Sequence, residues 1–162
     1  MNKNNLLLIV AGLLILFGLG NKLGIVNNTP NTNSSINLNL SPPTDPELQK
    51  LTDVIVASFK AGSSDRKSDG IFLACLYNDM SNLIEEDSSV IKTTEELVQA
   101  NSLAAKLLKI NLKGKYPGFS EAATSLIMKI IGDDNVALDE KSRGQAVNAF
   151  RYLAWACKSG AE

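Results

Sequence analysis

The chain changes its hydrophobic pattern twice. Leu6 to Gly20 reads LLLIVAGLLILFGLG, fifteen positions with no charge and no strongly polar side chain. An uncharged polar stretch follows, and from Thr44 onward apolar residues recur at helical spacing. Crossing a hydrocarbon core takes about 20 apolar residues, and fifteen span only about 22 Å as a helix. Leu23, Ile25 and Val26 extend the run, and Lys22 keeps its stem in lipid while its ammonium reaches the headgroups. Residues 1–26 are therefore predicted to form an N-terminal membrane anchor, a single transmembrane helix meeting lipid through residues 6–26. A second reading is a cleaved signal sequence, with Lys3 as the charged start and Gly18-Leu19-Gly20 as a small-x-small site. A helix enclosed by a soluble core is the third. No cysteine follows the run, so a lipoprotein processing site is excluded.

Residues 27–43 read NNTPNTNSSINLNLSPP. This Asn/Ser/Pro-rich text has no charge and too little apolar surface for a core, and it predicts a flexible linker. Asn27 and Asn33 match the glycosylation acceptor pattern, which Asn-rich text produces by chance.

Residues 44–162 read as one α-helical globular domain, a compact bundle of about five helices. Thr44-Asp-Pro-Glu47 is a capping box with Pro in the first turn. It opens a helix with Leu48, Leu51, Ile55 and Phe59 on one side. A second helix is expected from about Ser68 to Glu86, with Phe72, Leu76, Met80, Leu83 and Ile84 inward. Thr93-Thr-Glu-Glu96 opens a third through about Lys109. Gly114 to Gly118 reads as a loop. Ser120 starts a fourth helix, stopped by Gly132. Asp139 caps a fifth, with Val147, Phe150, Leu153, Ala154 and Cys157 on its core side. No stretch alternates with period two for long enough to predict a sheet, so the fold class is all-α.

The chemistry available narrows the function. The chain has no histidine, which removes the commonest general base and metal ligand. Carboxylate-only hydrolysis remains open, with Glu85, Glu86, Asp87, Glu95 and Glu96 as its acids, although acids at helix ends ordinarily serve as caps and solvated surface. Asp133 to Asp139 begins like a calcium loop, but its sixth position is Leu138 and its twelfth is Gly144, so the EF-hand pattern fails. No metal or other cofactor is expected.

Cys75 and Cys157 are the only cysteines. They read either as two small buried hydrophobes or as one disulfide in an oxidising compartment. Lys106, Lys109, Lys113 and Lys115 form the one basic cluster, expected either to terminate a helix or to contact an anionic surface. Trp155 lies off the core stripe of the last helix, between Tyr152 and Lys158, and reads either as core rim or, with Tyr152, as an exposed partner surface, for which Tyr116 and Phe119 are second-choice contacts.

The acidic residues number 17, all at or beyond Asp45, and 14 of the 16 basic residues share that region, leaving it at net −3. The sequence pI of about 5.5 argues against nucleic acid as a partner. Lys3 before the apolar run favours a cytoplasmic N-terminus and an extracytoplasmic domain. The expectation is a single-pass, membrane-anchored, non-enzymatic structural or interaction protein whose partner is another protein. Its layout resembles small membrane-anchored proteins of bacterial envelopes and minor membrane proteins of phage virions, in arrangement only and without a diagnostic motif. The alternatives are a secreted or anchored lytic hydrolase using carboxylates and a helical domain binding an apolar ligand.

Overall fold

Among the described residues, the helices of the computed structural model are, in chain order, α1 (Pro46–Lys60), α2 (Arg66–Glu86), the single turn α3 (Leu112–Lys115), α4 (Phe119–Ile131) and α5 (Glu140–Ala161). The structure describes residues 40–86, 112–132 and 139–162, together with Thr93, Glu96 and Gln99. These belong to one unit, Leu38–Glu162. The predicted anchor, most of the linker and the body of the predicted third helix lie outside the described residues. Its opening is visible, however: the Glu96 N–H donates to Thr93 Oγ1 at 3.3 Å, the first half of the predicted capping box.

The cap of α1 lies one residue later than expected. Asp45 Oδ1 accepts from the N–H groups of Glu47 at 2.8 Å and Leu48 at 3.2 Å. A carboxylate satisfies the orphan donors as the Thr44 hydroxyl would, and adds a favourable charge at the helix N-terminus. Glu47, expected to complete the box, pairs instead with Lys129 on α4. Ile55 and Phe59 are buried as predicted, but Thr52 and Ser58 are buried beside them. Their hydroxyls donate to the carbonyls of Gln49 at 2.8 Å and Ile55 at 2.7 Å, which removes the cost of burying them.

The face of α2 is rotated from the predicted stripe. Leu73, Leu76, Tyr77, Met80 and Ile84 are buried with Gly70, Ala74 and Ser81, while Phe72 and Leu83 are half-buried. The small residues decide this. They let α2 approach α5 closely, and a reading weighted by large apolar side chains does not register them.

Helix α5 is the hub, packing against α2, α1 and α4. Tyr77 meets Phe150 with ring centroids 5.8 Å apart, and Gly70 faces Cys157 and Ala161, so α2 and α5 run antiparallel. Gly160 lies against Phe59 and the Val56 carbonyl of α1. The C-terminal turns of α5 are thus wedged between α1 and α2 where only small residues fit. Helix α4 runs antiparallel to α1, with Lys129 on Glu47 at one end and Phe119 edge-on to Phe59 at the other.

That register also settles the cysteines. Both are free thiols. Cys157 faces Gly70, five residues from Cys75, which is about 7.5 Å along the axis in addition to an interaxial separation of about 8–10 Å. The alternative of one disulfide would need Cα atoms within about 7 Å.

Candidate functional site

The outward side of α5 brings aromatic, amide and charged side chains together. Its inner positions are filled by Ala146, Phe150, Leu153, Ala154 and Cys157. At 100° per residue, Trp155 then falls near the middle of the remaining arc, with Asn148 and Ser159 close above and below it and Tyr152 beside it. Trp155, Tyr152 and Ser159 are half-buried and Asn148 is exposed. Two cations border this arc. Arg151 donates to Glu85 Oε2 of α2 at 2.6 Å, and Lys158 pairs with Glu162 at 3.6 Å. Sequence reasoning placed Trp155 off the core stripe, as core rim or as partner surface, and the structure sets it beside Tyr152 on this outer side, both half-buried.

The other two aromatic candidates are elsewhere. Tyr116 is 0% exposed and Phe119 1% exposed, so neither offers a ring to a partner. Tyr116 stacks on Phe59 with centroids 4.3 Å apart. Its ring covers Gly62, where an added Cβ would lie 2.5 Å from the tyrosine Cδ1. The predicted loop is in fact the turn α3 followed by Gly118 at φ +86°, a left-handed backbone that glycine adopts without strain. This turn drives both rings into the core. Glycine and proline marked a reversal of direction; nothing in the local sequence said which side it would face.

Lys115 belongs to the same fastening. Its Nζ donates to Asp69 Oδ2 at 3.0 Å and to Asp65 Oδ2 at 3.1 Å, and the Tyr116 hydroxyl donates to the same Asp69 oxygen at 2.8 Å. Hydrogen bonds to Asp69, then to Asp65, raise the Lys115 ammonium above its ordinary range. Burial pushes the Tyr116 phenol up to about 12, with a hydrogen bond to Ser63 pulling it down and the Asp69 carboxylate adding to the rise. Lys115 therefore clasps the α1–α2 turn instead of facing an anionic surface. Lys106 and Lys109 lie outside the described residues, as does the Lys113 side chain.

Of the carboxylates considered for hydrolysis, Glu85 is in its ion pair with Arg151, Glu86 is exposed and Glu96 is half-buried; Asp87 and Glu95 lie outside the described residues. Sequence reading missed one acid of interest, Asp79, half-buried one turn after Cys75 on α2. Burial raises the Asp79 carboxyl, with the Asn78 side chain opposing the rise. Burial and then the Asp79 charge raise the Cys75 thiol, which favours the unreactive protonated form. Cys157 and Tyr77 are also pushed up by burial. Among the described residues, no group of three or more acids and cysteines is placed to hold a metal ion. None of the described helices is long and apolar enough to cross a membrane.

No known family, no curated protein and no solved structure matches the chain.

Proposed function

We propose that the chain is a non-enzymatic structural or interaction protein held at a membrane by its N-terminal apolar segment. The segment at Leu6 to Val26 is the anchor, residues 27–43 are the tether, and the helical domain is displayed on the extracytoplasmic side. The observation that carries this reading is the pairing of an uncharged fifteen-residue apolar run with a domain that turns Tyr152 and Trp155 outward from its central helix. A flexible linker of this length has a root-mean-square span of about 23 Å, which keeps the domain at the surface and raises its local concentration there. Six of the described carboxylates have structural roles, which favours an interaction protein over a carboxylate hydrolase. Asp45 and Asp139 cap helices, and Glu47, Asp65, Asp69 and Glu85 hold cations.

The test is alkaline extraction of membranes from cells producing the full chain. The wild-type protein stays in the membrane pellet, and a variant with Leu13→Lys and Ile15→Lys moves to the supernatant. Wild-type protein released by alkali would refute the anchor.

A further inference from the structure

One row of residues runs along the outward arc of α5, from Lys141 through Gln145, Asn148, Tyr152, Trp155 and Ser159 to Glu162. Lying along one side of the helix, it is the part of α5 that a second helix would meet. All of these residues are exposed or half-buried, and they run the length of α5, about 32 Å.

We infer that this face pairs with the same face of a second copy of the chain, antiparallel, about a two-fold axis through Tyr152. The order of residues is self-complementary only in that sense. Reversed, Lys141 meets the partner's Glu162, cation against anion. Gln145 meets the partner's Ser159, amide against hydroxyl. The Trp155 indole N–H meets the side-chain carbonyl of the partner's Asn148, and the two Tyr152 rings stack at the axis. In a parallel pair each residue would face itself, with lysine on lysine and glutamate on glutamate, which is repulsive.

The flanking cations do not oppose the approach. Arg151 is matched by Glu85 within its own protomer. Lys158 takes one carboxylate oxygen of Glu162, Oε1, leaving the other for the partner's lysine. Gly144, beside Lys141 on the arc, has nothing within 4 Å of an added Cβ, so the backbone there is open to a close neighbour. An isologous contact of this kind closes on itself as a dimer. With aromatic rings at three of its seven levels and polar pairs at the rest, the seam is modest in affinity, and tethering to a membrane supplies the effective concentration. The dimer rests on the proposed membrane display only for that concentration.

The experiment is disulfide trapping of the full chain in membrane vesicles, in a Cys75→Ser background, with Cys157 left in the core. Tyr152→Cys alone gives a cross-linked species of twice the mass. Lys141→Cys and Glu162→Cys give none alone and give it when co-produced. Lys141→Glu lowers trapping through Tyr152→Cys by about fivefold, and adding Glu162→Lys restores it. Self-linking of Lys141→Cys would overturn the antiparallel order. No trapping in any combination, with protein still in the vesicles and helical by circular dichroism, would overturn the dimer and assign the face to lipid or to a different protein. Trapping that persists after the protein leaves the vesicles would uphold the dimer and refute only the anchor.

Discussion

Replacing Gly70 with alanine tests the wedge at the heart of the domain. Gly70 is the fifth residue of α2, an interior position where alanine on propensity alone gains about 1 kcal/mol. Here the new Cβ would lie 2.7 Å from the Cys157 carbonyl oxygen and 2.7 Å from the Ala161 Cβ. Carbon pairs are most favourable at about 3.5–4.0 Å, so α5 must move by about 1 Å. Neither neighbour has a rotamer through which to escape, and α5 is held from the other side, where Gly160 already lies against Phe59. Overpacking of this kind costs about 3 kcal/mol at the upper end, leaving a net loss of about 2 kcal/mol. Gly144→Ala on α5 is the control, because nothing lies within 4 Å of its added Cβ; it gains about 0.5–1 kcal/mol. Guanidinium denaturation followed by helical circular dichroism separates the two. With a slope of about 4 kcal/mol/M, the midpoint falls by about 0.5 M for Gly70→Ala and rises by about 0.2 M for Gly144→Ala. A Gly70→Ala midpoint at or above wild type would refute the close packing of α2 on α5.

Asp45→Ala is expected to cost about 1 kcal/mol through loss of the α1 cap, and Thr44→Ala to change stability by no more than about 0.3 kcal/mol; equal losses in thermal melts would restore the capping box to Thr44. Tyr116→Phe removes one hydroxyl from Asp69 and costs about 1 kcal/mol at neutral pH in the same denaturation assay. Its pH dependence has a defined sign. The Tyr116 phenol is raised to about 12 in the fold against an ordinary value near 10, so the stability it contributes is complete below pH 10 and is lost as the pH rises toward 12. Wild-type stability measured from pH 9 to 12 should therefore fall more steeply than that of Tyr116→Phe, and parallel curves would contradict the buried phenol. Asp139 has the opposite sign. Hydrogen bonding by Ser142 lowers its carboxyl, so its contribution is present above its ordinary range and is lost as the pH falls through the lowered value; Asp139→Asn, which caps without a charge, should flatten that acid limb.

The sequence reading was most successful where periodicity and caps agree. Asp139 and Gly132 bound helices as expected, and Phe150, Leu153 and Cys157 point inward. It was weaker wherever small residues set the geometry. Gly70, Ala74 and Ser81 turn α2 away from the Phe72–Leu83 stripe, because close backbone approach is a property of two helices together and has no signature in one. Tyr116 and Lys115 were misplaced for a related reason. A loop rich in glycine and proline reads as surface, yet their partners, Phe59, Asp65 and Asp69, lie some 50 residues away in sequence. Trp155 was legible as lying off the core stripe. Its place near the middle of the outward arc follows only once both flanks of α5 are seen to be covered by other helices.

The central claim, a helical domain held permanently at a membrane, is tested most directly by the intact mass of the native protein in separated membrane and soluble fractions. The account predicts a membrane-bound species that retains Met1 to Gly20. A soluble species beginning near Asn21 would contradict it, reducing the apolar run to a cleaved address.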